Sequence, residues 1–285
     1  MVIKKQLKIM NEDLEITKAV IPAAGLGKRL LSISDMVPKE MLPINNKCMI
    51  EYSIKEAIHS GIQDIIIIIN KRKNILRDYL LERFRDQFKK EPYSALQFIF
   101  IYQDEPRGVA DAFYLAKDFL KNEPFAVLIP DNIIIGKVPV TLQLINEFRR
   151  YKKDLLGITR IDKSNAHLFG NCGRIEFNIL EEGVLELTKL HDKGEGTFSL
   201  QDENETLRGI ARYICTSRLF ECIDKIKEKV NGELDDVPAF QEMIEDRSLL
   251  GVIVEGSVFD TGHPAGYLAA DEYLKSSSHS FKKQE

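Results

Sequence analysis

Three stretches of this 285-residue sequence carry side chains whose types and spacing could do chemistry on a phosphorylated ligand. The first is AGLGKRL at 24–30, where Gly25 and Gly27 let the backbone approach a ligand closely and consecutive N–H groups can cradle phosphate oxygens. Arg29 places a guanidinium, a two-point phosphate clamp, beside that turn. No GxxxxGK(S/T) run is present, and the third glycine of a dinucleotide fingerprint is missing. The second stretch is PKEMLP at 38–43, whose two prolines restrict a loop and fix the place of Lys39. The third feature is a pair of acids, Asp131 and Asp260, each following a strand-like run. Each also has a plain structural reading: a tight strand-to-helix turn, a solvated lysine in a rigid loop, and aspartates capping turns.

These residues sit among alternating elements. Residues 17–24 are strand-like and run into the glycine turn, while Met49, Ile50, Ile54, Ala57 and Ile58 recur at helical spacing with Gly61 as a natural stop. Residues 65–69 then read as a fully buried strand, so the unit is βαβ, with a parallel sheet and a right-handed crossover. A helix follows over 76–88 and a strand over 96–102. Val109, Ala112, Phe113, Ala116 and Leu120 make a helical stripe leading into a strand at 125–129, which ends at Pro130 and Asp131. Repeated units of this kind predict a Rossmann-like, mostly parallel α/β sheet flanked by helices, with ligands at the carboxyl ends of the strands. Beyond about Leu155, shorter β-like runs at 173–179, 184–190 and 209–215 surround a polar loop over 192–205. Helices beginning near Ser217 and Pro238 and a strand-like run at 250–254 complete the chain. This half is expected to continue the sheet, with an inserted β region over the substrate. We expect an N-terminal extension over 1–16, one catalytic domain over 17–275 and a disordered tail over 276–285.

Composition narrows the class. The chain is 44% apolar and 29% charged, as ordinary soluble domains are. Its net charge of −4, from 40 basic and 44 acidic residues, offers no overall basic field for nucleic acid or an anionic membrane. Residues 1–18 lack the apolar core of a signal peptide and no apolar run approaches bilayer length, so a cytoplasmic protein is expected. Cys48, Cys172, Cys215 and Cys222 are scattered without a CxxC pair and are expected as reduced thiols; the five histidines show no zinc-ligand spacing.

Together, VIPAAGLGKR at 20–29 and PKEMLP at 38–43 resemble the bacterial UTP–glucose-1-phosphate uridylyltransferases, within the wider sugar-1-phosphate nucleotidyltransferase family. The resemblance runs from about Lys18 to Leu274. It implies that Arg29 and Lys39 stabilise the NTP phosphates and that Ala24, Gly25 and Gly27 bind the nucleotide with Gln103 and Gly108, Gln103 reading the uracil. It further implies that Lys193 binds the sugar phosphate, that Gly170 and Asp192 contact the sugar, and that Asp131 and Asp260 hold Mg²⁺. The expected partners are UTP and a sugar 1-phosphate, in a homodimer or homotetramer. In this chemistry the sugar phosphate is its own nucleophile, so positioning and charge stabilisation suffice. The chain departs from the family pattern at Lys28, Ala110, Asp192 and Ala211, around the loop and the sugar pocket. Those departures leave two alternatives beside UTP with glucose 1-phosphate: another NTP and hexose pair, or a catalytically silent relative that binds a nucleotide sugar.

Overall fold

Five consecutive isoleucines at 65–69 are all fully buried, which requires packing on both faces of the strand that carries them. The computed structural model describes residues 15–25, 37–91, 93–200, 203–229 and 232–281 and supplies both layers. In chain order the elements are β1 (Lys18–Pro22), β2 (Pro43–Ile44), β3 (Lys47–Cys48), α1 (Met49–His59), β4 (Asp64–Ile69), α2 (Asn74–Phe84), β5 (Gln97–Tyr102), α3 (Val109–Leu115), α4 (Lys117–Leu120), β6 (Phe125–Leu128), β7 (Asn132–Ile135) and α5 (Val140–Tyr151). The second half adds β8 (Asp154–Asp162), β9 (Ile175–Glu181), β10 (Val184–Leu190), β11 (Glu205–Cys215), α6 (Arg218–Ile226), α7 (Asp236–Glu245), β12 (Leu249–Ile253), β13 (Ser257–Asp260) and α8 (Pro264–Phe281).

Nine strands form one sheet in the order β5-β4-β1-β6-β11-β8-β12-β10-β9. β5, β4, β1 and β6 are parallel neighbours, β11 runs against both β6 and β8, and β10 runs against both β12 and β9. The sheet is therefore mixed, with β11 and β10 reversed and the remaining strands sharing a direction. Successive residues point to opposite faces. Ala19, Ile21, Ile65, Ile67 and Ile69 join Ile50, Ile54, Leu80, Leu144 and Phe148 on one side. Val20, Ile66 and Ile68 join Phe113, Leu219, Ile223, Phe240 and Met243 on the other. The result is three layers: α1, α2 and α5 on one face, α3, α6 and α7 on the other.

The expected βαβ unit is present, with β1 and β4 in parallel register and α1 between them. Gly61 ends the crossover at φ +90°, where an L side chain is strained. The later half continues the same sheet as expected, and β9 and β10 form its outer hairpin. Several bounds differ. The helix read over 76–88 is α2, which stops at Phe84 and gives way to a 3₁₀ turn at Gln87–Lys89. β11 starts at Glu205, several residues before the run at 209–215, because its first half pairs with β8. The final helix extends to Phe281, past the 275 boundary expected for the domain. All four cysteines are free, and no helix among the described residues is long and apolar enough to cross a membrane.

One buried acid makes stability depend on pH. Burial pushes the Asp154 carboxyl up to about 6, against hydrogen bonds from the Thr216 amide and hydroxyl that favour the anion. The folded chain thus holds this proton more tightly than the unfolded chain. The associated stability is complete below about pH 4 and is lost as pH rises through about 6. Asp154→Asn removes the titration. The stability of this variant relative to wild type, from urea unfolding, should be on the order of 2–3 kcal/mol higher at pH 7.5 than at pH 4.

Candidate active site

A cleft of about 380 Å³ opens at the carboxyl ends of β1, β5 and β6. Ala24 and Gly25 follow β1, Gln103 follows β5 and Asp131 follows β6, the end of a parallel sheet where ligands bind. Gly108, Lys39, Lys193 and Asp260 also line it, so most of the residues singled out from the sequence converge here. Gly27 and Arg29 lie outside the described residues, as does Lys28.

The glycine turn is anchored from below. Lys73 donates to the carbonyls of Ala23 and Gly25 at 2.8 and 2.6 Å and to Glu40 Oε2 at 2.8 Å. Burial pulls its ammonium below the ordinary lysine value, and Glu40 offsets part of that. Tying those two carbonyls fixes the end of β1 and links it to the 3₁₀ turn Lys39–Met41, which presents Lys39. Lys39 Nζ in turn lies 2.8 Å from Asp131 Oδ2.

The two aspartates are joined by one turn. The Thr261 hydroxyl and the Gly262 amide donate to the Asp131 carbonyl at 3.0 and 3.2 Å, and Gly262 N–H also reaches Asp260 Oδ1 at 3.2 Å. A Cβ at Gly262 would stand 2.9 Å from Asp131 Oδ2, so glycine leaves the space beside that carboxylate open. Two hard carboxylates beside such a space suit a Mg²⁺ ion that also takes phosphate oxygens. Asp260 is nonetheless well occupied: its Oδ2 accepts from the Gly170 amide at 3.0 Å and from Arg208 Nη2 at 3.2 Å.

Two residues expected at the sugar do not line this cleft. Gly170 is buried behind Asp260 and positions that carboxylate; it does not line the cleft. Asp192 is exposed and also outside the lining, between His191 and Lys193, which do line the cleft. Lys193 is gripped by Asp235 at 2.6 Å and Asp236 at 2.7 Å, at the start of α7. Burial works against its charge, but the two carboxylates outweigh it and hold the ammonium well above the usual lysine value.

Gln103 is set with a defined polarity. Its Nε2 donates to the Gly108 carbonyl at 3.0 Å and to Asp111 Oδ2 at 2.7 Å. Only an amide NH₂ can face two acceptors, so the remaining Oε1 is an acceptor for a ligand. Gly108 itself, at φ +102°, packs so closely on Leu234 that a Cβ would come within 2.2 Å of the carbonyl there.

Arg212, Lys73, Asp111, Arg208 and Asp236 are the residues that sequence reasoning missed. Arg212 carried some signal, since it lies in a segment already matched to the family's pattern. Lys73, Asp236 and Arg208 act across 33, 43 and 52 positions, which no local pattern marks, while Asp111 meets Gln103 from 8 positions away, across the turn before α3. Arg212 is fully buried, paired with Glu56 at 3.0 Å, and donates to the carbonyls of Ile129 and Asn132 at 2.9 and 2.7 Å on either side of Asp131.

A parallel-rich sheet with a glycine turn, a lysine–aspartate pair and an oriented glutamine amide at its carboxyl end places these groups where α/β sheets bind ligands. The nucleotidyl transferase family profile matches residues 18–277, and the chain belongs to that family. It is 30% identical over 267 residues to the UTP–glucose-1-phosphate uridylyltransferase of Staphylococcus haemolyticus (strain JCSC1435), covering 89% of this chain and 90% of the relative. The enzyme of the same name from Bacillus subtilis (strain 168) matches at 30% over 267 residues, 89% of each chain. A crystal structure of UDP-glucose pyrophosphorylase complexed with UDP-glucose superposes with a TM-score of 0.78 at 28% identity, over 92% of this chain and 100% of that one. UTP-bound UGPase from Acinetobacter baumannii, at 23% identity and a TM-score of 0.74 over 91% of this chain and 93% of that one, shares the fold.

The Arg212–Glu56 pair makes a prediction about stability. Arg212→Leu strands a buried carboxylate and should lower the unfolding free energy by about 3–5 kcal/mol in urea titrations, while Arg212→Leu with Glu56→Leu recovers much of it. A double variant no more stable than the single one would mean that the carbonyl contacts, and not the ion pair, carry the effect.

Proposed function

We propose that this chain transfers a uridylyl group from UTP to α-D-glucose 1-phosphate. A sugar-phosphate oxygen attacks the α-phosphorus in line, the new P–O bond forms as the α–β bond breaks, and pyrophosphate leaves with UDP-glucose as product. The single observation that carries this reading is the fixed amide of Gln103, whose Oε1 matches the N3–H of uracil and opposes cytosine, which has an acceptor there. Family membership supports the reaction class, and the names of the relatives support UTP and glucose 1-phosphate in particular.

The chain's own residues divide the work. Gly25 and Ala24 bring backbone beside the base, and Asp111 keeps the Gln103 amide oriented. Lys39 would turn from Asp131 toward the triphosphate, with Arg29 as a second cation on the same phosphates. Asp131 and Asp260 would hold Mg²⁺, which when bound supplies charge neutralisation to the crowded phosphates. Lys193 would exchange its carboxylate partners for the sugar phosphate. The partners of this reading are small molecules, with the chain assembled as the homodimer or homotetramer that the family resemblance implies.

A pyrophosphate-release assay over UTP, dTTP and CTP with glucose and galactose 1-phosphates should give its highest kcat/KM for UTP with glucose 1-phosphate. It should fall to background in EDTA and return with Mg²⁺. UDP-glucose binding without turnover for any pair would make the chain a binding relative instead. Asp111→Ala frees the Gln103 amide to turn over, so the UTP-to-CTP ratio of kcat/KM should fall by about tenfold or more. An unchanged ratio would take the amide out of base selection.

A further inference from the structure

Buried polar atoms normally find partners, so those that do not mark places where a ligand belongs. Among the described residues, the buried and unpartnered side-chain atoms include Glu40 Oε1, Asn132 Oδ1 and Arg208 Nη1, all on residues that line the cleft. Arg208 is the cation among them, and it is only 2% exposed.

Its guanidinium is held on three sides. Nε donates to the Cys172 carbonyl at 2.8 Å, Nη2 reaches Cys172 Sγ at 3.1 Å and Asp260 Oδ2 at 3.2 Å, and the ring of Phe169 lies 4.9 Å from Cζ. The plane of the fork is therefore set by protein contacts that leave Nη1 unused. An arginine this deeply buried needs its donors satisfied, and one carboxylate satisfies only part of the fork. A phosphate oxygen is the acceptor whose charge and geometry suit the remainder.

We propose that Arg208 is a catalytic residue of this site: Nη1 takes a non-bridging phosphate oxygen of the bound substrate while Nη2 stays on Asp260. Since Asp260 is tied through Gly262 to Asp131, the bound phosphate lies beside the carboxylate pair. We assign the oxygen to the sugar phosphate, the anion proposed for Lys193 in the same cleft; the α-phosphate of the nucleotide is the other source of the same chemistry. Donors already oriented before the substrate arrives need no reorganisation as charge develops.

This inference rests on the uridylyltransferase reading, and the experiment keeps the two apart. Wild type, Arg208→Lys and Arg208→Met are compared by calorimetric titration with UDP-glucose and with UMP in EDTA, alongside turnover and Tm. Losing a hydrogen bond to a charged group should weaken UDP-glucose binding by about tenfold or more in both variants, with UMP binding within about twofold of wild type. Arg208→Lys keeps the buried charge without the fork, so it reports on Nη1 even where Arg208→Met fails to fold. Equal loss for both ligands supports the phosphate contact and moves it to the α-phosphate. Unchanged UDP-glucose affinity in a folded variant overturns the proposal and leaves Arg208 as a structural partner of Asp260. A wild type that neither releases pyrophosphate nor binds UDP-glucose overturns the functional reading itself.

Discussion

The cleft depends on a single buried guanidinium. Arg212 joins Glu56 and Ser53 on α1 to the carbonyls of Ile129 and Asn132, so the turn bearing Asp131 is clamped between a helix and a strand. Glu56 extends the tie by accepting from the amide and hydroxyl of Thr141 at the start of α5. Burying such a pair is expensive in itself, so its return is geometric and not a surplus of stability. It fixes where Asp131 stands, and through Asp131 it sets Lys39 and the Thr261–Gly262 turn.

The cleft is rich in charge yet internally balanced. Glu40 has Lys73, Asp131 has Lys39, Asp260 has Arg208, and Asp236 has Lys193. Any cation that engages a polyphosphate must share or leave a carboxylate. In the reading proposed here, Asp131 and Asp260 would hold a divalent ion, whose charge would offset theirs once the cations engage phosphate. Such sharing would let a net-acidic protein hold a highly anionic substrate.

How much of this the sequence disclosed follows from the range of each interaction. β4 is visible because its burial depends on its own apolar run, and α1 because its stripe and Gly61 lie within a dozen residues. β8 was not assigned as a strand: DLLGITRID alternates weakly, and its identity comes from β11 and β12 on either side. The site followed the same rule. Asp131, Asp260, Lys39 and Gln103 stood out through local motifs, whereas Asp111 looks like any first-turn acid until Gln103 is folded against it. Asp192 is exposed just past the end of β10, and a motif match does not say which way a side chain there points.

The arginine on Asp260 and the arginine that clamps the Asp131 turn come from one strand, and its irregularity explains how. β11 pairs with β8 at 205–209 and again at 213–214, but between Gly209 and Tyr213 the register shifts. Four residues there advance against two on β8, so the strand bulges away from its neighbour. Gly209, Ile210 and Ala211 line the cleft at that point. A bulge re-aims the side chains that flank it. Arg208, just before it, reaches Asp260, while Arg212, within it, turns to α1 and the Asp131 turn. Asp260 and the turn bearing Asp131 are thus both held from a strand that contributes neither aspartate. Regular pairing through 209–213 would close the opening and move both guanidinium groups, even with every aspartate and lysine unchanged.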